Sequence, residues 1–290
     1  MTHVSVRRGL LYVSVAATAW GTGGAAAALI YRLGGLGPVA VSFWRFAIGA
    51  VLLAVAGVLL ARTGVPAGRG RMAITGVCMA VSQTSYFAAV GESGLAVATV
   101  VTLGAAPVLV AAGARFVLGE RLGAARLGSV AAAPAGLVLL SLPGGSAEFS
   151  PRGLGWALLS AVTYASVTLV NRAGSADPYG TALGSLVVGG IFLLPAALAA
   201  GVLPSGGHPV AAAALLAYLG AVPTALAYGL FFAGLRAVPA TTSSVIVLVE
   251  PLGATLIGVF LLGETLTPYS AAGAAVLLLA VLTLALREPH

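Results

Sequence analysis

Two ionisable residues stand inside long apolar stretches of this chain, and they are the first candidates for chemistry. Glu250 precedes Pro251 in TSSVIVLVEPLG, and Arg45 lies in PVAVSFWRFAIG. A charge is costly to hold away from water, so one that persists there either serves a function or is held by a bond. Glu250 could carry a proton, or it could shape its helix together with Pro251. Arg45 could meet a ligand carboxylate, bond Glu250 or another polar group, or snorkel along its stem to water. Polar and aromatic residues recur near helical spacing elsewhere: Ser82, Gln83 and Tyr86; Thr99 and Thr102, which share a face; Trp156, Ser160, Thr163 and Tyr164; Tyr228 and Phe231; and Thr241 to Ser244. Such groups can hold a small molecule through neutral hydrogen bonds and ring contacts. Singly, a serine or threonine bonds its own helix or a neighbouring one.

Catalytic chemistry lacks its parts. The chain has no lysine and hence no phosphate-binding P-loop, and it has neither a Gly-x-Ser-x-Gly elbow nor a paired-carboxylate site. Cys78 is the only cysteine, and His3, His208 and His290 fall at the termini or in a loop, so no zinc site is expected. We expect no enzyme, no metal and no cofactor.

The elements that must position these residues follow from composition. Hydrophobic residues make up 60% and charged residues only 7% of 290 residues, with a mean hydropathy of +1.08. Soluble domains carry roughly a quarter charged residues, so the chain belongs in lipid. Its net charge of +7 comes from arginines between apolar runs rather than from a basic helix face, which excludes nucleic acid as a partner. About 20 apolar residues cross a bilayer, and spans are read near 9–31, 38–61, 71–91, 95–118, 123–143, 153–171, 179–201, 209–234, 239–262 and 268–286. The breaks are short and leave no soluble domain. Glu250 then lies roughly 12 Å from one end of its span and Arg45 roughly 10 Å from one end of its own.

The spans form two sets. ATVVTLGAAPVLVAAGARFVLGERL (98–122) and TSSVIVLVEPLGATLIGVFLLGETL (242–266) align without a gap, so that Pro107, Gly119, Glu120 and Leu122 recur 144 residues later as Pro251, Gly263, Glu264 and Leu266. The same offset carries Trp20 onto Tyr164, and the chain divides into residues 1–146 and 147–290. With the N-terminus inside, most arginines, including Arg7, Arg8, Arg62, Arg71, Arg121, Arg126, Arg172, Arg236 and Arg287, fall on the cytoplasmic side, and Arg32 and Arg152 fall outside. Five spans per copy make the second copy enter from the opposite face. The expected fold is all-α and integral to the membrane: ten transmembrane helices as two five-helix inverted repeats, both termini cytoplasmic, with a site at the repeat interface. Arg7-Arg8 before an apolar run and Ala25 to Ala28 resembles a signal peptide, but the run is long for one and its counterpart at 156–171 is internal.

Ten apolar spans in two halves, each with a mid-span proline followed by Gly-Glu-x-Leu, resemble the drug/metabolite transporter superfamily and within it the ten-helix EamA-type exporters. The chain is most similar to the bacterial YddG-type exporters of aromatic and other amino acids. The resemblance covers the whole chain and implies a monomeric, multi-pass protein of the bacterial inner membrane, with membrane lipid as its surroundings. It implies export of small metabolites, amino acids first, by alternating access through a central cavity. A carrier of nucleotide sugars or phosphorylated metabolites would need more buried cations than Arg45. The same architecture could also serve a drug carrier, a channel or a proton-coupled exporter.

With that frame, Pro107 and Pro251 free the carbonyls of Leu103 and Val247 and kink their helices as gating elements or as bundle shape. Trp20, Ser82, Gln83, Tyr86, Thr99, Thr102, Trp156, Thr163, Tyr164, Tyr228 and Ser244 are the expected substrate-binding residues, with Trp20 and Tyr164 facing one another across the cavity. Glu120 and Glu264 are expected only to end a helix and order a loop. Gly128, Ala132 and Gly136 make a small-residue packing face, and the fifth and tenth spans buttress the bundle.

Overall fold

The computed structural model describes residues 4–59, 68–141, 150–174, 177–253 and 267–287. Among them regular structure is entirely helical: α1 (Val6–Gly34), α2 (Pro38–Leu59), α3 (Arg69–Phe116), α4 (Ala124–Ser141), α5 (Pro151–Arg172), α6 (Pro178–Ala200), α7 (Pro209–Leu235), α8 (Ala240–Ile246) and α9 (Pro268–Arg287). Five described stretches are long and apolar enough to cross a membrane: Pro38–Leu59, Val97–Phe116, Pro151–Arg172, Pro178–Ala200 and Pro209–Leu235. Ala124–Leu140, Ala240–Gly253 and Ala271–Thr283 are shorter apolar helices. The outer surface carries large apolar side chains such as Val58, Phe116, Ile191 and Leu279, a coat that suits hydrocarbon rather than water.

Local sequence explains the helix starts. Ser5, Ser150 and Asp177 each accept a backbone N–H three residues on, at 3.4, 3.2 and 2.8 Å, and Pro151 and Pro178 follow as first helical residues.

Two separate spans, near 71–91 and 95–118, are expected where the structure has one helical run, α3. That run doubles back. The Tyr86 hydroxyl lies 2.8 Å from Thr99 Oγ1, thirteen residues on, whereas a straight helix would separate the two by about 20 Å. α5 lies against both arms: Thr75 meets Asn171 and Ser82 meets Ser160, so the first arm runs antiparallel to α5. Thr102 meets Ala157 and Gly113 meets Leu169, so the second arm runs parallel to it. The reversal packs Ser93 against Gly153.

The relation between the halves is visible in contact pairs. Ser129 donates to the Ala280 carbonyl at 3.2 Å, and Gly136 packs on Gly273 in the same α4–α9 crossing. Shifting Ser129 by 144 gives position 273 and shifting Gly136 gives 280, so the two contacts exchange. They also run antiparallel along equivalent helices. The operation relating the copies is therefore a two-fold perpendicular to α4 and α9. Phe46 of α2 packs on Gly190 of α6, its own equivalent, and so lies on that axis. An added Cβ at Gly273 would run into Leu140 N and the Gly136 carbonyl, which is why a small residue is needed there. Of the three small residues expected to pack, Gly136 is in the crossing and Ala132 is half-buried, while Gly128 is exposed with no contact at its Cβ position.

The paired prolines behave differently. Helical structure continues through Pro107, which is buried. Before Pro251 it gives way to a turn at 247–248, with Leu248 N donating to Val245 O at 3.0 Å and Glu250 N to Val247 O at 2.9 Å. The Val247 carbonyl that Pro251 would leave bare is thus taken up by Glu250, in tighter i to i−3 bonds. Gly263, Glu264 and Leu266 lie outside the described residues.

Candidate functional site

Arg45 does not snorkel. Its side chain points into the middle of the bundle, and the residue is only 9% exposed. Nε donates to Thr224 Oγ1 at 3.2 Å and Nη1 to Gln83 Oε1 at 3.4 Å. The Thr224 position has a local cause. Pro223 cannot donate to the Leu219 carbonyl, and α7 widens into a π-turn over Ala221–Leu226. The Thr224 hydroxyl donates to that carbonyl at 2.6 Å and turns its lone pairs to Arg45. A backbone defect in the second repeat therefore orients a cation of the first. The Pro223–Thr224 pair is a site element absent from the sequence expectations; a proline followed by a hydroxyl residue in mid-span was its available signal.

Glu250 follows the turn at 247–248 and is half-buried. Its carboxylate has no hydrogen-bond partner among the described residues, and it lies within electrostatic reach of Arg45, Tyr86, Tyr164 and Tyr228. Gln83, Tyr86, Thr99 and Tyr164 are likewise only partly buried. These residues come from both repeats.

Aromatic rings pack together in the core. Trp20 packs against Tyr228 and Phe231, both at 5.2 Å between ring centroids, and Tyr164 packs on Phe231 at 6.4 Å. Trp20 and Tyr164 therefore flank Phe231 rather than facing each other across open space. The Trp20 indole N–H has no partner among the described residues although the residue is 9% exposed, and the Tyr31 hydroxyl is also unpartnered. A buried donor left free in this way is a place for water or cargo.

Several expected binding hydroxyls have hydrogen-bond partners within the protein. Ser82 is bonded to Ser160, Thr102 to the Ala157 carbonyl, Thr163 to Leu159 and Ser160 carbonyls of its own helix, and Ser244 to the Thr241 carbonyl. These serve helix packing, as polar residues in apolar bundles do. Trp156, 42% exposed near the start of α5, stands two turns from Tyr164 and outside the aromatic cluster. Gln83 is bonded to Arg45 and Tyr86 to Thr99, while the Glu250 carboxylate has no hydrogen-bond partner among the described residues.

Glu120 has a larger role than ending its helix. Gly119, at φ 67°, reverses the chain after α3, and Glu120 N donates to Ala114 O at 2.9 Å. Its carboxylate then accepts from Arg172 Nε at 3.1 Å and from Ala240 N, at the start of α8, at 3.3 Å. Arg172 in turn donates to the Leu235 and Arg236 carbonyls at the end of α7, each at 3.1 Å. One carboxylate thus ties both repeats together at one end of the bundle, with the anion at a helix start and the cation at a helix end.

Elsewhere the chain offers little chemistry. An open groove of about 470 Å³ between α4 and α9 is lined by small and apolar residues such as Ala124, Gly128, Ala132, Val276 and Ala280. Among the described residues, no three His, Cys, Asp or Glu side chains gather to hold a metal.

Comparison with known proteins agrees with this architecture. The EamA-like transporter family model matches residues 7–142 and again 151–286, two matches offset by 144 residues. The chain is 31% identical to the uncharacterized transporter YwfM of Bacillus subtilis over 94% of this chain and 92% of that protein. It is 31% identical to an uncharacterized transporter of Archaeoglobus fulgidus over 68% of this chain and 70% of that one. A solved crystal structure shares the fold over 99% of this chain and 100% of its own, with a TM-score of 0.86 at 20% identity. This multi-pass membrane protein, with two family matches that follow its internal repeat, therefore belongs to the EamA-like transporter family.

Proposed function

We propose that the protein is a secondary transporter or facilitator that exports small metabolites, foremost aromatic and other neutral amino acids, by alternating access through a central cavity between its repeats. The observation that carries this reading is the aromatic cluster of Trp20 from the first repeat with Tyr164, Tyr228 and Phe231 from the second, in which the Trp20 indole N–H and the Tyr164 hydroxyl have no partner among the described residues. For an aromatic cargo, an aromatic contact with one of these rings would add about 0.5–1.5 kcal/mol beyond burial. A two-fold perpendicular to the helices supports alternating access, because two equivalent halves can exchange their conformations around one central site.

Ten spans and cytoplasmic termini belong to the same reading. The doubling back of α3 and the pairwise equivalence of helices support the count, and the arginine distribution supports the orientation in a bacterial inner membrane. A dianionic cargo fits less well, since Arg45 is the single buried cation among the described residues. The test is uptake by the purified protein in liposomes, using a panel of radiolabelled amino acids, nucleotides, nucleotide sugars and sugar phosphates. Uptake confined to nucleotides or phosphorylated compounds would refute the amino-acid reading.

A further inference from the structure

The link between α3 and α4, residues 117–123, belongs to the first repeat, and what it grips belongs to the second. Glu120 Oε1 accepts from Arg172 Nε at 3.1 Å and from Ala240 N at 3.3 Å, while Leu118 packs on the apolar cluster that includes Ala165 and Ala240. Beside it the start of α1 lies so close to the link between α7 and α8 that a Cβ at Gly9 would meet Val238 Cγ2 at 2.8 Å and Ala237 Cβ at 2.9 Å. This end of the bundle carries Arg8, Arg121, Arg172 and Arg236, and in the proposed orientation it faces the cytoplasm.

The opposite end holds the exchanged packing contact. Shifting Gly9 and Ala237 by 144 gives Gly153 and Ser93, and a Cβ at Gly153 would meet Ser93 Cβ at 2.9 Å. The ion pair is not exchanged in the same way. Its carboxylate recurs in the sequence as Glu264, but the position equivalent to Arg172 is Ala28. An arginine at this place in the repeat therefore exists at one end only.

The bonds of Glu120 can break without unravelling what they join. Arg172 Nη1 is held by the Leu235 and Arg236 carbonyls of its own repeat, each at 3.1 Å, so the cation keeps its place when the carboxylate leaves. Gly119, at φ 67°, turns the chain out of α3, and the link is not helical, so it can swing without melting either neighbouring helix. Glu120 Oε2 is buried with no partner among the described residues, so one oxygen alone carries the tie. The side chains are 13% exposed for Glu120 and 26% for Arg172, which lets water take up the charges as they separate.

We infer that residues 117–123 are a strap across the cytoplasmic mouth, latched by Glu120 on Arg172 and Ala240, and that the latch opens once in every transport cycle. This deepens the alternating-access reading and rests on it, since opening toward the cytoplasm requires the repeats to part here. With the arginine at one end only, the latch biases the resting protein toward a closed cytoplasmic side.

The experiment is pulsed electron resonance on the full chain in lipid nanodiscs, in a Cys78→Ser background. One spin-label pair, Arg121→Cys with Arg236→Cys, spans the latch, and a second, Glu92→Cys with Arg152→Cys, sits at the opposite end; all four positions are exposed. Glu120→Gln should raise the share of long distances across the latch by about fivefold, with no lengthening at the opposite end. Arg172→Gln should do the same, and Arg172→Lys should recover part of the closed population. Unchanged distances across the latch in both Gln variants, or equal lengthening at both ends with a lower melting temperature, overturns the inference and makes the ion pair a packing bond. A reversible thiol cross-link between positions 121 and 236 should stop uptake of the amino-acid panel into liposomes, and reduction should restore it. If the cross-link stops uptake but the Gln variants leave the distances alone, this inference falls while alternating access stands. If the cross-linked protein transports at full rate, both fall.

Discussion

Substituting Glu120 tests whether the carboxylate clamp holds the repeats together. Its Oε1 accepts from Arg172 Nε at 3.1 Å and from Ala240 N at 3.3 Å. The side chains are 26% exposed for Arg172 and 13% for Glu120, so solvent screens the pair only in part. A hydrogen bond to a charged group contributes about 1.5–3 kcal/mol, an exposed ion pair about 0–1 kcal/mol, and an anion at a helix start about 0.3–1 kcal/mol. Arg172 would keep its two carbonyl partners, Leu235 and Arg236, after the loss of Glu120. Taken together, Glu120→Ala should cost about 2–3 kcal/mol. Glu120→Gln keeps an acceptor oxygen and loses only the charge, and should cost about 1 kcal/mol. The assay is reversible unfolding in mixed detergent micelles, run as a double-mutant cycle with Arg172→Ala, where a coupling of about 1–2 kcal/mol is expected. A coupling below about 0.3 kcal/mol, or equal costs for the Gln and Ala variants, would refute the clamp.

The remaining predictions concern the candidate site and the topology. Thr224→Val should strand the Leu219 carbonyl and release Arg45, lowering stability by about 1–3 kcal/mol in the same unfolding assay; an unchanged value would mean the π-turn satisfies its own carbonyl. Trp20→Phe keeps a ring against Phe231 and Tyr228 and removes only the free indole N–H, so transport should fall without a lower melting temperature; Trp20→Ala and Tyr164→Ala should impair aromatic amino acids more than threonine or alanine, and equal losses accompanied by a lower melting temperature would mark packing. Glu250→Gln should abolish pH-driven accumulation in liposomes if transport is proton-coupled, whereas wild-type equilibration that ignores the pH gradient would make the protein a facilitator. Reporter fusions after Arg126 and Arg287 should report cytoplasm and those near Glu148 and His208 the outside; a cytoplasmic signal at His208 would break the orientation.

Much of the architecture is legible in the chain because it rests on local quantities. Apolar run length marks the helices, and a repeat without gaps at an offset of 144 residues needs no coordinates to be seen. The same offset separates the family matches at 7–142 and 151–286, and it predicts which contacts exchange across the two-fold. Composition likewise points to lipid, and charge inside apolar runs points to Arg45 and Glu250.

What the sequence could not decide is where each polar group spends its hydrogen bonds, because that depends on partners far away in the chain. Ser82 and Thr102 look like lining residues by type and spacing, but their hydroxyls meet α5, 78 and 55 residues away. Arg45 looks able to snorkel until Thr224, 179 residues on, is found to hold it inside. Glu120 looks local until α3, α5, α7 and α8 converge on it and Arg172. Helix formation in an apolar chain is dictated residue by residue, since every backbone group must be satisfied within its own segment. Which side chains remain free to hold a cargo is settled only once helices from both repeats have taken their share of donors and acceptors, and that is a property of tertiary packing.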